Sequence, residues 1–258
     1  MTILGQLADH AAERVAAAQR AVPLEELRRQ ACSLPRGDFA FERAMGKEGL
    51  SFICECKRAS PSKGLIAPEF PYLQIAKEYE AAGADGISVL TEPKWFLGSD
   101  RYLEEIARAV PCLRKDFTVD AYMIYQAKVL GASAVLLICS ILTQGQLTDY
   151  LHLCDELGLS ALVEIHDEAE GETALRAGAR LVGVNNRNLK DFSVDTGNSR
   201  RLRAMIPDDV IFISESGVRN SDDVARLREL GADGVLVGET LMRAADKKAA
   251  MAELRGDV

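Results

Sequence analysis

Ser51-Phe52-Ile53-Cys54-Glu55-Cys56-Lys57-Arg58-Ala59-Ser60-Pro61-Ser62-Lys63-Gly64 begins as an apolar strand and ends as a loop holding three cations and two hydroxyls. With the two-residue period of a strand, Ile53, Glu55 and Lys57 share one side and Cys54 and Cys56 the other. A carboxylate and an ammonium therefore lie on one face, where burial is costly unless they pair or a charged ligand completes the site. A purely structural ion pair at a strand end is the plain alternative. The loop after the strand favours a ligand. Pro61 fixes one dihedral, Gly64 frees another, and the hydroxyls of Ser60 and Ser62 beside Lys63 suit an anion such as phosphate.

Working outward from this stretch, short apolar strands alternate with amphipathic helices to the end of the chain, the pattern of parallel β/α packing. The strands fall at 52–57, 86–90, 112–114, 134–140, 161–165, 181–185, 210–214 and 234–237, eight in all. The helices between them carry apolar stripes, among them Ile75, Tyr79 and Ala82, then Leu147, Tyr150, Leu151, Cys154 and Leu157, then Val224, Leu227 and Leu230. Helix stops recur in similar wording, for example Ala82-Gly83-Ala84-Asp85-Gly86 and Leu230-Gly231-Ala232-Asp233-Gly234, with glycine placed for the left-handed position after the last turn. Eight strands without a long linker, and without a G-x-G-x-x-G after the first of them, predict a closed (β/α)₈ barrel (a TIM barrel) in preference to a doubly wound sheet. One domain spans 1–258, and residues 1–48 form a helical extension with Leu7, Ala11, Val15 and Ala18 at helical spacing and Pro23 opening a second helix. A lid, an oligomer contact and a simple embellishment all remain open for this extension.

At 258 residues and 48% apolar content the chain can bury a large core. Its net charge of −8 and pI near 5.1 offer no basic patch for a nucleic-acid backbone. Six cysteines, mostly inside apolar runs and without a C-x-x-C pair, indicate neither a disulfide framework nor a zinc site, and reduced core thiols are the simplest account. No charged start followed by an apolar run opens the chain, and no stretch is apolar for long enough to span a membrane. A cytoplasmic protein is expected, monomeric in the simplest case, with other oligomeric states open.

In a barrel of this kind the active site lies at the C-terminal ends of the strands. Those ends supply Glu55 and Lys57, Thr91 and Glu92, Lys115 and Asp116, Glu164 and His166, Asn185 and Arg187, Glu215-Ser216-Gly217, and Gly238-Glu239-Thr240. The fourth strand, Val135-Leu136-Leu137-Ile138, stays apolar and suits a flat hydrophobic group. Lys115 has a bland alternative in a stem that snorkels to the rim. Glu164, enclosed by Leu162-Val163 and Ile165, is expected to have its pKa pushed up by burial, as proton transfer requires. His166 shares its parity, but a lone E-x-H lacks the further ligands a metal needs. The Asn185-Asn186-Arg187 and Ser216-Gly217 segments also read as turns. Glycines after the last two strands mark the usual place for a phosphate on backbone N–H groups. Together these features describe an enzyme acting on a sugar phosphate with an apolar or aromatic substituent.

Over nearly its whole length, N-terminal helices included, the chain resembles indole-3-glycerol phosphate synthase. The resemblance is carried by E-x-K-x-x-S-P-S-x-G at 55–64, S-V-L-T-E at 88–92, L-R-K-D-F at 113–117, the E-x-H of Glu164 and His166, G-V-N-N-R-N-L at 183–189, S-E-S-G at 214–217 and L-V-G at 236–238. It implies a carbon–carbon lyase of tryptophan biosynthesis, a carboxy-lyase. Such an enzyme closes a pyrrole ring on 1-(2-carboxyphenylamino)-1-deoxyribulose 5-phosphate with loss of carbon dioxide and water, without metal or organic cofactor. It further implies Lys115 as the acid at the C2′ oxygen, Glu164 as acid/base in dehydration, Lys57 as proton donor or anion anchor, and Glu55 as its orienting partner. Asn185 and Glu215 would hold sugar hydroxyls and lysines, and Ser60 and Arg187 would bind substrate anions. The phosphate would lie near Ser216, Gly217, Gly238 and Glu239, the last two by main-chain N–H, and the anthranilate ring between Phe96, Phe117, Leu137 and Leu189.

Three positions depart from the pattern: Asn186 where a small hydroxyl residue is expected, Leu97 where glycine is common, and Glu239 where serine is frequent. The last puts in doubt a side-chain contact from Glu239 to phosphate. A phosphoribosylanthranilate isomerase would need a cysteine base early in the barrel, and Cys54 and Cys56 face the wrong side for it. A barrel that binds without catalysing would not need Lys57, Lys115 and Glu164 together.

Overall fold

Each of the eight apolar segments forms a strand in the computed structural model, which describes residues 2–188 and 191–256. They are β1 (Ser51–Cys56), β2 (Gly86–Leu90), β3 (Cys112–Lys115), β4 (Ala134–Ile138), β5 (Ser160–Ile165), β6 (Leu181–Asn185), β7 (Ile211–Glu215) and β8 (Gly234–Val237). Every neighbour pair is parallel and β8 returns to β1, so the sheet closes into a barrel with no free edge. Most strand ends lie within a residue of expectation. The fourth is the exception: it stops at Ile138, where a 3₁₀ turn over Cys139–Ile141 takes the chain toward the next helix.

The crossover helices pack outside the sheet. Their starts are capped by side chains that the sequence supplies at the right place: Asp120, Asp167 and Asn220 each accept a backbone N–H of the first turn, and Thr143 with Gln146 forms a reciprocal capping box. At their ends Gly83 and Gly231 take φ of 81° and 75°, the left-handed geometry that lets a helix stop and a strand begin within three residues. The outward faces of the strands meet these helices. Cys54 Sγ lies 3.7 Å from Met251 Sδ, for instance, so the cysteine face of β1 is the helix face.

The N-terminal extension is three helices, α1 (Ile3–Ala21), α2 (Leu24–Ser33) and α3 (Ala40–Met45), and it embraces the barrel. Helix α3 closes the N-terminal end. Phe41 is fully buried there and occupies the space a side chain at Gly86 would need, Ser51 Oγ donates to the Ala44 carbonyl at 3.1 Å, and the Glu42 N–H donates to Ser160 Oγ at 3.0 Å. Those contacts involve the first residues of β1, β2 and β5. At the opposite end α1 lies along the C-terminal mouth. Arg14 makes a two-pronged ion pair with Asp116 just past β3, at 2.6 and 3.0 Å, and His10 approaches Glu92 past β2 at 3.1 Å. Asp116, one of the strand-end acids singled out from the sequence, thus docks this helix, while Glu92 lies beside it and accepts from backbone N–H groups of its own loop. Among the described residues no helix is long and apolar enough to cross a membrane.

Candidate active site

A cavity of about 660 Å³ opens at the C-terminal ends of the strands. Glu55, Lys57, Ser60, Phe96, Lys115, Phe117, Glu164, Asn185, Arg187, Glu215, Ser216, Gly217, Gly238 and Glu239 all border it, so every polar residue that the resemblance implies for the site reaches one space. Two apolar candidates do not. Leu137 is fully buried and points away, because the register that sets Ile138 opposite Glu164 turns Leu136 and Ile138 inward; these two form the apolar wall in its place. Leu189 lies outside the described residues. Phe96 and Phe117 pack as a tilted pair with ring centroids 6.0 Å apart, together forming one aromatic side of the cavity.

Lys115, the last residue of β3, projects between two carboxylates, its Nζ 3.0 Å from Glu164 Oε2 and 3.0 Å from Glu215 Oε2. Register explains how three side chains from β3, β5 and β7 meet: Glu164 stands opposite Gly183 on β6, and a Cβ at Gly183 would fall on Glu215 Oε1. The absent side chain is the room Glu215 uses to lean across toward the lysine. Gly238 plays the same part on the other side of the barrel. A Cβ there would collide with Glu55 Oε2 and come within 2.9 Å of Lys57 Nζ, and these two side chains form a close ion pair of their own.

Burial works against a charged Lys115, but Glu164, Glu215 and Glu55 outweigh it and raise its pKa, so the group is an ammonium held by acids. The expectation for Glu164 is corrected by this arrangement. Burial raises its pKa, yet Lys115 and His166, with hydrogen bonds from Lys115 and Asn185, more than offset burial and the net shift is downward. The upward shift falls on Glu215, where burial and the charge of Glu164 outweigh Lys115 and push the pKa to about 7. Its Oε1 is buried without a hydrogen-bond partner among the described residues. One cation between two buried acids leaves one of them able to hold a proton near neutrality, and the pair titrates as a unit.

Beyond β7, Ser216 and Gly217 take φ of 68° and 99°, successive left-handed residues that curl the backbone back over the cavity. Ser216 Oγ donates to Asn185 Oδ1 at 3.0 Å. Asn186, unexpected in its position, supports the turn from below: its amide donates to the Ser216 carbonyl and to Ser214 Oγ, both at 3.1 Å, while its own oxygen accepts from Ser199. Opposite this turn, Glu239 opens the helix Glu239–Arg243, its carboxylate 3.0 Å from Arg243 and 3.5 Å from Lys63. That side chain is occupied by two cations which themselves border the cavity. Arg219 and Arg243 also border the space and escape a reading of strand ends, since both lie past those ends on the following segments. The only local signal is the four-residue spacing of Glu239 and Arg243. From the extension, Ile3, Leu4 and Leu7 line the outer wall, so α1 is part of the cavity. Among the described residues no group of three or more His, Cys, Asp or Glu side chains is placed to hold a metal ion.

The family model for indole-3-glycerol phosphate synthase matches residues 4–254. The indole-3-glycerol phosphate synthase of Ruminiclostridium cellulolyticum is 53% identical over 98% of this chain and 99% of its own length, and that of Leuconostoc mesenteroides is 50% identical over 99% of each. Among solved structures, thiamine phosphate pyrophosphorylase from Pyrococcus furiosus superposes with a TM-score of 0.60 at 18% identity, covering 80% of this chain and 94% of that one. A 3-hexulose-6-phosphate synthase from Salmonella typhimurium does so with 0.61 at 16% identity, covering 80% and 97%. At such identities these two establish only the shared barrel. Half-identity across the full length, a family match that begins in α1 and ends in the last helix, and the lysine and carboxylate cluster in one mouth converge on one assignment: the chain belongs to the indole-3-glycerol phosphate synthase family.

Proposed function

We propose that the cavity converts 1-(2-carboxyphenylamino)-1-deoxyribulose 5-phosphate to indole-3-glycerol phosphate, as the names of the relatives suggest, and that it does so with the side chains gathered there. The observation that carries this reading is the meeting of Lys115 with two buried carboxylates in a cavity that an aromatic pair also borders. The anthranilate ring lies against the Phe96–Phe117 pair and the Leu136 and Ile138 wall, and α1 keeps water from the outer side. Backbone N–H groups at Ser216, Gly217, Gly238 and Glu239, with Arg219 nearby, take the phosphate. Ser60 and Arg187 reach the remaining anionic and hydroxyl groups, and Asn185 orients the sugar.

Held this way, the ring carbon that bears the carboxylate attacks the C2′ carbonyl, and Lys115 gives a proton to the developing alkoxide. Loss of carbon dioxide restores the aromatic ring. Dehydration then needs a proton on the departing hydroxyl and removal of one from C1′. Lys57, oriented by Glu55, supplies the first, and Glu164, whose depressed pKa keeps it ionised, takes the second. Glu215 balances Lys115 through the cycle. Unpaired buried thiols agree with a reducing cytoplasm.

Mixing the purified chain with this substrate in the presence of a chelator should give growing indole-type fluorescence together with carbon dioxide. No fluorescence above a protein-free blank would end the proposal.

A further inference from the structure

Ser216 stands in a conformation that its own side chain resists. At φ of 68° a residue with a Cβ is disfavoured, and Gly217 follows it at 99°. At the second position glycine is required by space as well, because a Cβ there would come within 2.8 Å of Thr196 Cγ2 and 3.0 Å of Val194 Cγ1. A strained turn keeps a single shape only where its surroundings over-determine it. Two asparagines do so here. Asn185 Oδ1 accepts from Ser216 Oγ at 3.0 Å, and Asn186 Nδ2 donates to the Ser216 carbonyl at 3.1 Å.

Asn185 borders the cavity of the candidate site and Asn186 does not. The side chain of Asn186 belongs instead to a closed ring of hydrogen bonds with Ser214 and Ser199, all three residues being buried. Asn186 Nδ2 donates to Ser214 Oγ at 3.1 Å, and Ser199 Oγ donates to Asn186 Oδ1 at 2.9 Å. The two hydroxyls are 2.9 Å apart, and since the Ser199 proton is already used, Ser214 is the donor between them. The Ser199 backbone N–H, 3.0 Å from Asn186 Oδ1, can only donate, so it fixes which end of the amide is oxygen and the direction in which the ring runs. One amide proton is then left over, and it is the one aimed at the Ser216 carbonyl.

The supports of this ring are regular elements. Ser214 lies on β7 next to Glu215, whose carbonyl accepts the Asn186 backbone N–H at 2.9 Å. Ser199 lies in the helix Gly197–Arg203, where the neighbouring Asn198 donates to the Asn185 carbonyl at 3.3 Å. A serine in place of Asn186 has one proton to give and a shorter reach, so it could serve Ser214 or Ser216 but not both.

We infer that Asn186 is a positioning residue for the phosphate monoester of the substrate, acting through the Ser216 carbonyl to preform the turn that receives the phosphate, without touching the ligand. The role rests on the phosphate being held at that turn. A preformed turn binds more tightly because less ordering is left to be done on binding.

The test compares the unmutated full chain with Asn186→Ser and Ser199→Ala. It measures kcat and KM for indole formation and the inhibition constant of inorganic phosphate as a competitor of the substrate, with circular dichroism to verify folding. Phosphate should compete in the unmutated chain. In Asn186→Ser the inhibition constant and KM should rise together by about three- to tenfold, the scale of one lost hydrogen bond, while kcat falls by no more than about twofold. In Ser199→Ala the backbone N–H still holds the amide, and both constants should rise by about two- to threefold. Phosphate inhibition of Asn186→Ser equal to that of the unmutated chain would overturn the role, whatever happens to kcat or to the melting temperature. If Asn186→Ser does not fold, Ser199→Ala decides, and unchanged phosphate inhibition there overturns it equally. An active unmutated chain with which phosphate does not compete would remove the phosphate placement and the role of Asn186 with it, whereas equal competition in all three chains removes the role of Asn186 alone.

Discussion

Lys115 has two buried neighbours that would repel each other without it, and this makes it the side chain with most to lose. Replacing it by methionine removes the proton donor and leaves Glu164 and Glu215 to share a proton in a space that excludes water. Lys115→Met should lower kcat by about 10²–10⁴-fold, the usual contribution of a general acid, while KM stays within a few-fold because the phosphate is held elsewhere. Steady-state assays check this, and turnover within tenfold of the original would reject Lys115 as the acid. Leu97 is a different kind of residue. Its φ of 52° is one that side chains with a Cβ resist, at a position where glycine is expected, and its side chain is 37% exposed. Leu97→Gly should therefore stabilise the chain by about 0.5–1 kcal/mol, strain relief exceeding the entropy glycine adds to the unfolded state. A lower melting temperature would mean that its apolar contacts outweigh the strain.

Helix α1 is where an element acquires a role by what it crosses. Its apolar stripe, Leu7, Ala11 and Val15, is buried against the barrel, and two polar ties, Arg14 to Asp116 and His10 to Glu92, set where along the mouth it rests. Glu92 is held in turn by the backbone N–H groups of Lys94, Trp95 and Phe96 at 2.7–3.0 Å, so the tie reaches the segment that carries an aromatic wall of the site. Arg14→Ala would leave Asp116 buried with only Thr91, Arg114 and its backbone contact to Phe117. A loss of about 1–3 kcal/mol is expected for hydrogen bonds of this charged type. Hydrogen exchange should rise across residues 3–21 more than in the strands, and KM should increase several-fold because Ile3, Leu4 and Leu7 border the cavity. Exchange in α1 matching that of the unmutated chain would show that the apolar stripe alone secures the helix.

For the molecule as a whole, a charged cluster at the centre of a closed sheet ties stability to pH. Glu215 binds its proton more tightly folded, with a pKa of about 7, than unfolded, where the ordinary value is 4.5. The folded state therefore carries the extra proton between these values, and this contribution to stability is present at low pH and lost as pH rises through about 7. Glu164 and Asp116 act in the opposite sense, since their lowered pKa values favour folding above the ordinary carboxylate range and that contribution is lost on acidification. Glu215→Gln removes the first effect and, because the pair titrates as a unit, leaves Lys115 to Glu164 alone, which strengthens the second. Compared with the unmutated chain, it should gain about 2–3 kcal/mol of relative stability between pH about 5 and pH about 8 in denaturant titrations. A difference that does not vary with pH would show that Glu215 titrates normally.

The amino-acid sequence by itself determined the barrel and the mouth. Eight apolar runs with glycine-ended helices between them leave little choice of topology, and a period of two decides that Glu55 and Lys57 share a face, both being short-range properties of the chain. What only the tertiary structure decided depends on distances between residues far apart in sequence. Leu137 reads as a wall in the sequence although its facing depends on register with β5, and Glu164 is there expected to carry the raised pKa that in fact belongs to Glu215. Residue type and local burial state how much a charge would suffer in the interior. Which acid is relieved is settled by whether Lys115, His166 and Asn185 arrive within a few ångströms, and those arrive from different strands and the loops past them. The same holds for α1, whose stripe is visible in the sequence but whose seat is not, because Asp116 lies 102 residues further along the chain.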